Sequence, residues 1–232
     1  MSVITLGVTI PRGMKGGAPS APVVPSDGRT LSLDFVNSLY YGCAVGGTLA
    51  SRTLSQLVTG ATGTATPGGS GCLIGASDDV ALVMSPAVFG GGSWFQTTAG
   101  TIYAHAVIAY VNSGFPRIFE FTDGSDNNRV IGRYNATADV GAVVTVGGSD
   151  EELANTPYAT TAKLAIAFDG TGFKSCLNGG TVQTGAAVVA AVNACQLGNR
   201  GTTKNRQLDG YVREFRFYPT KYSSANLQTL TT

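Results

Sequence analysis

The chain has 232 residues, of which 43% are hydrophobic and only 12% are charged, and its formal net charge is +1. This length suits one large β domain, and the apolar content is sufficient for a buried core. No basic tract interleaved with aromatic residues is present, which argues against nucleic-acid binding, and no apolar run approaches the roughly 20 residues that span a bilayer. The low charge fits either a surface made polar by Thr, Ser and Asn, or faces that lie against other subunits.

The first 30 residues differ from the rest of the chain. Their apolar, β-prone positions are Val3, Ile4, Leu6, Val8 and Ile10. A segment rich in Pro, Gly and Ser follows, at a density that forbids regular structure. We expect residues 1–30 to form an extended arm that docks on a neighbouring subunit, with a flexible terminus as the alternative. The start lacks the basic region and long apolar core of a secretory signal, so we expect synthesis in a cytoplasm.

From residue 31 onward, period-2 patterns and turn residues alternate at short spacing. Leu31, Leu33 and Phe35 share one face of a first strand. Later runs are divided by "DGSDNN", "DGTG" and "NGG", where Asn and Gly allow the backbone conformations that tight hairpins need. "SSANLQTL" predicts a short helix with Ser223 as its N-cap. Many short strands with no helix before the tail predict an all-β, antiparallel sandwich over residues 31–232.

Four stretches resemble, in order, the concanavalin-A-like or laminin-G-like jelly-roll domain of tailed-bacteriophage structural proteins. They are "SWFQTTAGTIYAHAVI", "FEFTDGSDNNRV", "KLAIAFDGTGFKSCLNGG" and "LDGYVREFRFYPTKYSSANLQTLT". The resemblance is specific from about residue 93 onward. It implies a jelly roll in which the last strand returns beside the first, with Phe215 and Phe217 facing the core. Broken alternation after Val212 predicts a bulge near residues 213–214.

The resemblance implies a virion structural protein, which would be a head decoration, head-fibre or tail-associated subunit. Such a subunit would assemble with copies of itself and with other virion proteins, and would be made in the host cytoplasm. The alternative is a lectin-like, carbohydrate-binding adhesion module that binds host-surface glycan. The two overlap, because a fibre subunit can also bind glycan. No membrane or nucleic-acid partner is expected.

An enzyme that degrades glycan is the third and least favoured hypothesis. Glycoside hydrolases need two facing carboxyl groups, which this fold commonly supplies from one strand as E-x-D-x-E. The glutamates are Glu120, Glu151, Glu152 and Glu214; Glu152 has Asp150 two positions before it, but no E-x-D-x-E run is present. The single histidine, His105, lies mid-strand without a nucleophile motif, so we interpret it as structural.

No cofactor is expected, although loop carboxylates make calcium the best metal candidate. The residues that could bind it are Asp123, Asp126 and Asn128, which also have the conformational preferences of turn residues. Sugar rings could stack on Trp94, Tyr103, Tyr134 and Tyr158, unless these rings lie in the core or in subunit contacts. The four cysteines are widely spaced, so buried free thiols are expected, and a disulfide is the alternative.

Overall fold

The computed structural model describes residues 24–62, 66–75, 81–85, 89, 92–108, 114–135, 139–155, 160–201 and 205–232. Among these residues the chain forms two antiparallel sheets and two helices. The first part contains β1 (Leu31–Asp34), β2 (Leu39–Gly42), β3 (Ala50–Ser51), α1 (Leu54–Leu57), β4 (Gly60–Thr62), β5 (Thr66–Gly68), β6 (Gly71–Ile74), β7 (Ala81–Met84) and β8 (Ala99–Ile108). The second part contains β9 (Arg117–Thr122), β10 (Arg129–Tyr134), β11 (Val140–Val146), β12 (Ser149–Asn155), β13 (Thr161–Asp169), β14 (Gly172–Leu177), β15 (Gln183–Gly185), β16 (Ala194–Leu197), β17 (Gly210–Tyr218) and α2 (Ser224–Thr231).

The two sheets pack face to face as a sandwich. As described, the first sheet has ten strands, in the order β15-β14-β13-β8-β17-β1-β2-β3, with the hairpin of β5 and β6 joined to β17 through β6. The second has seven strands, in the order β12-β11-β10-β9-β16-β7-β4. The predicted all-β, antiparallel jelly-roll sandwich with a short C-terminal helix is confirmed. Residues 1–23 of the predicted N-terminal arm, which include Val3, Ile4, Leu6, Val8 and Ile10, lie outside the described residues. Residues 24–30 are described, and the Thr30 amide donates to the Phe217 carbonyl oxygen of the same chain at 2.9 Å.

The closing strand holds the sandwich together. β17 pairs with β1, so the end of the chain lies beside the start of the body, as predicted. Phe215 and Phe217 are fully buried between the sheets and contact the ring of Trp94, with centroid distances of 6.4 and 5.8 Å. The register between β17 and β8 shifts between Val212 and Glu214, which confirms the predicted bulge.

Local turn and cap chemistry follows the sequence patterns closely. Asn178 and Gly179 have φ values of 48° and 71° in the turn after β14, which these two residue types tolerate. The Ser223 side chain accepts a hydrogen bond from the Asn226 amide at 3.2 Å and caps α2. One turn of helix, α1, was not expected before the tail. It forms because Thr53 and Gln56 build a capping box at its start.

Helix α2 covers one part of the ten-stranded sheet on its outer side. Leu227 packs on Ala165, Ala167 and Cys176, the outward-facing residues of β13 and β14. All four cysteines are free and buried, as expected. Among the described residues, neither helix has the length and apolar character that crossing a membrane would require.

Candidate functional site

The outer face of the ten-stranded sheet beyond α2 carries a row of ionisable side chains. Asp34 of β1 is the cross-strand partner of Glu214 in β17, and Glu214 is in turn the partner of His105 in β8. In each strand the alternate residues, such as Leu33, Phe215 and Ala104, face the core. Period-2 alternation therefore brings two acids and the single histidine of the chain into one line across three strands.

This row lines a cavity of about 360 Å³, which we call the His105 pocket. Its walls come from the sheet, from the turn after β1 and from the turn between β5 and β6. The lining residues are Asp34, Val36, Asn37, Gly69, Ser70, His105, Arg213 and Glu214. The bulge in β17 matters here, because it places the consecutive residues Arg213 and Glu214 in the same cavity.

Hydrogen bonds position the acids of the pocket and leave two nitrogens available. The carboxylate of Asp34 accepts from the Asn37 backbone amide at 3.0 Å and from its Nδ2 at 2.8 Å. Glu214 forms an ion pair with Arg216. By contrast, His105 Nε2 and Arg213 Nε are buried atoms without a hydrogen-bond partner among the described residues. Buried nitrogens of this kind are unusual, and a ligand in the pocket could bond to them.

The electrostatic surroundings keep His105 neutral at physiological pH. Burial, together with the charges of Arg213, Lys163 and Arg216, lowers its pKa from 6.5 to about 4. A neutral imidazole has one N–H donor and one acceptor nitrogen, so it can bond to a hydroxyl group in either direction.

A second concave region, the Tyr222 groove, lies on the same outer face near the other end of β17. It has a volume of about 300 Å³ and is lined by Asp27, Tyr218, Tyr222, Asn226, Thr229 and Leu230. The rings of Tyr218 and Tyr222 lie 4.8 Å apart between centroids. The Tyr218 hydroxyl donates to Asp27 at 3.3 Å. An aromatic wall beside a carboxylate, an amide and a hydroxyl group therefore faces the groove.

The aromatic residues predicted as sugar platforms lie elsewhere. Trp94 and Tyr134 are 0% exposed in the core between the sheets, so their ring faces are not available at the surface. Tyr103 is 3% exposed, because the Arg216 guanidinium lies 5.0 Å from the centre of its ring. Tyr158 is outside the described residues. Tyr222, which was not among the predicted platforms, faces the Tyr222 groove instead. The aromatic residues at and just after the end of β17 were the sequence signal that could have indicated this position.

The residues predicted as calcium ligands form the turn between β9 and β10. Asp123 accepts hydrogen bonds from the Ser125 amide at 2.8 Å and from Asn128 Nδ2 at 2.7 Å. Asp126 pairs with Arg129 at 3.2 Å and with Arg200. No cluster of three or more His, Cys, Asp or Glu side chains suited to a metal occurs within the described part of the chain. Here, Asp123 and Asn128 act as turn residues, and Asp126 as a partner of arginines.

The outer face of the seven-stranded sheet holds a buried ion pair. Arg117 Nε lies 3.1 Å from Glu120 Oε2, and the two side chains are 5% and 0% exposed. Glu120 Oε1 also accepts from the Gly201 amide at 3.0 Å, which ties down the loop after β16. Burial and the nearby charges of Arg133, Arg129 and Arg200 lower the pKa of Arg117 to about 10, against the opposing effect of Glu120.

Comparisons with known proteins were made by family, by sequence and by structure. No family model and no curated protein sequence matches the chain. The sialidase of Trypanosoma rangeli, solved with a difluorinated KDN, is similar at a TM-score of 0.64 and 12% identity, over 96% of this chain and 35% of that one. The chain therefore spans about a third of that sialidase.

Smaller likenesses are to a CBM40 module and to another sialidase. The CBM40 of the Ruminococcus gnavus IT-sialidase has a TM-score of 0.49 and 15% identity, over 59% of this chain and 84% of that one. A mutant of the NanB sialidase of Streptococcus pneumoniae has a TM-score of 0.49 and 12% identity, over 59% of this chain and 24% of that one. These comparisons show the fold alone. The Trypanosoma rangeli likeness is consistent with a concanavalin-like sandwich, and none of these proteins is described as a bacteriophage protein.

Proposed function

We propose that the chain is a carbohydrate-binding module that holds a saccharide in the His105 pocket and does not hydrolyse it. One observation carries the proposal: the pocket joins carboxylate acceptors, at Asp34 and Glu214, with buried nitrogens of His105 and Arg213 that have no hydrogen-bond partner among the described residues. Sugar hydroxyl groups donate and accept at once, so they match such a lining. A volume of about 360 Å³ lies within the usual range for small-molecule sites.

The geometry favours binding to a sugar over binding to an apolar molecule or a metal ion. Most of the lining side chains are polar or charged, and Val36 is the one aliphatic side chain among them. The carboxylate of Asp34 is held in place by both nitrogens of Asn37, so its remaining acceptor positions keep a fixed direction. Fixed polar groups on sheet strands and short turns reduce the ordering cost of binding.

A glycan array tests this proposal, with wild-type protein and two matched variants. Asp34→Asn removes one charge inside the pocket, and Asp126→Asn makes the same change in the turn between β9 and β10 of the other sheet. We expect wild type and Asp126→Asn to bind the same glycans, and Asp34→Asn to bind about tenfold more weakly, which corresponds to about 1.4 kcal/mol. Sialyllactose, the ligand named with the Ruminococcus gnavus module, is one of the probes.

Two results would count against glycan binding in this pocket. One is a folded wild-type protein that binds no glycan on the array. The other is a glycan whose affinity is the same for Asp34→Asn as for wild type but is lost in Asp126→Asn. Thermal unfolding of each variant provides the control for folding.

The assembly hypothesis stays a prediction. It rests on the low charge of the chain and on an arm of which residues 1–23 lie outside the described residues. Deleting residues 1–26 and measuring the mass in solution tests it, because an assembly subunit would lose its oligomer. Glycan binding by the deleted form would be unchanged, since the His105 pocket is built from residues 34–37, 69–70, 105 and 213–214.

A further inference from the structure

The His105 pocket and the Tyr222 groove lie on one continuous face of the ten-stranded sheet. Glu214 of the pocket and Tyr218 of the groove are on the same side of β17, four residues apart. At about 3.3 Å per residue, this separation is about 13 Å along the strand. The two concave regions are therefore further apart than one small ligand reaches, but close enough for one chain-like ligand to contact both.

The surface between them is polar and partly exposed. Arg216 lies across the ring of Tyr103 and keeps 25% of its side chain exposed. Ser32, the cross-strand partner of Arg216, accepts a hydrogen bond from Arg29 Nη1 at 3.0 Å. The Arg29 guanidinium in turn lies 5.6 Å from the centre of the Tyr218 ring. A line of side chains that can donate hydrogen bonds thus connects the pocket to the groove.

The opposite charges of this face lie close to one another. Arg29 pairs with Asp27, Arg216 pairs with Glu214, and Arg213 lines the same pocket as Asp34. A surface on which opposite charges are interspersed gives little attraction to a strongly charged polymer, whereas it offers many groups to the hydroxyls of a neutral one.

We infer that this face binds a linear, neutral polysaccharide chain, with one sugar unit in the His105 pocket and another against Tyr222. The inference rests on the proposed saccharide binding and adds the class of ligand. The Tyr222 ring is partly buried and packs on the cluster under α2, so it is a rigid wall for the apolar face of a sugar ring. Asp27, Asn226 and Thr229 would bond to the hydroxyl groups at its edge.

Dependence of affinity on ligand length tests the inference. The probes are size ladders of neutral hexose and N-acetylhexosamine oligomers, from monosaccharide to hexasaccharide, titrated calorimetrically into the full chain. We expect affinity to rise about tenfold or more between the monosaccharide and the longer oligomers, and then to level off. Tyr222→Leu should abolish this rise, because it removes the ring against which the second sugar unit lies, and Tyr222→Phe should keep it. Asn226→Ala, a change at an exposed position, should reduce the rise without affecting folding.

The possible failures are distinguishable. If monosaccharide and hexasaccharide bind equally, or if Tyr222→Leu keeps the rise, the chain-like ligand is excluded while saccharide binding stands. If no sugar of any length binds, the proposed function itself fails. Retention of extended peptides from a peptide array, without any oligosaccharide, would also overturn the inference.

Discussion

Asp34 and Glu214 are directly opposed across the ladder between β1 and β17, and both side chains line the His105 pocket. Two carboxylates that face one cavity are what a glycoside hydrolase requires. In this pocket, however, donors hold both of them: Asn37 at Asp34 and Arg216 at Glu214. Both carboxyl groups therefore keep fixed directions, in which they could accept hydrogen bonds from a ligand.

The first prediction concerns hydrolysis. The protein should release no reducing sugar from any oligosaccharide that it binds, because both carboxyl groups of the pocket are held by donors of the chain, Asn37 and Arg216. Overnight incubation with the bound oligosaccharide, followed by chromatography of the products, measures this. Cleavage that disappears in both Asp34→Asn and Glu214→Gln would contradict the account and make the pocket an active site.

The second prediction concerns pH and uses the only histidine in the chain. Folding lowers the pKa of His105 from 6.5 to about 4, so the unfolded chain takes up this proton first as the pH falls. The contribution of His105 to the free energy of unfolding is therefore complete above pH 6.5 and decreases as the pH falls from 6.5 towards 4.

Urea unfolding of wild type and His105→Gln between pH 7 and about pH 4 measures this contribution. The free energy of unfolding of wild type, minus that of the variant, should decrease as the pH falls. The carboxylates that titrate in the same range are common to both proteins and largely cancel in the difference. A difference that is constant over this pH range would show that the surroundings of His105 do not resist its protonation.

The third prediction concerns the buried ion pair on the other sheet. Glu120→Gln should lower the free energy of unfolding by about 3–5 kcal/mol, because it leaves the buried Arg117 without a counter-charge. Glu152→Gln is the matched control on the same face, since Glu152 pairs with Arg133 at 2.6 Å but is 32% exposed. That change should cost about 0–1 kcal/mol. Equal losses in the two variants would show that burial does not distinguish these pairs.

Much of the fold could be predicted from local patterns. The closing strand, its bulge, the hairpin turns and the Ser223 cap depend on neighbours in sequence, so period and turn chemistry were sufficient. The inward position of Tyr134 could also be predicted, because it shares a strand face with Val130 and Gly132. The buried position of Trp94 was harder to predict, because Trp94 lies in a loop, where no hydrophobic period indicates which side chains face the core.

The candidate site could not be predicted in the same way. Asp34, His105 and Glu214 lie far apart in sequence, and only the pairing register of β1, β17 and β8 brings them together. A register shift of one residue would turn each side chain to the other face. The search for acids spaced along a single strand therefore missed a pair formed across two strands.

The central claim is that the outer face of the ten-stranded sheet binds saccharide at the His105 pocket. Amide chemical-shift mapping by NMR, during titration with the strongest glycan of the array, tests it most directly. The account predicts that the resonances that move belong to Asp34, Ser70, His105, Arg213 and Glu214. Shifts confined to the opposite sheet, around Arg117 and Arg133, would contradict it.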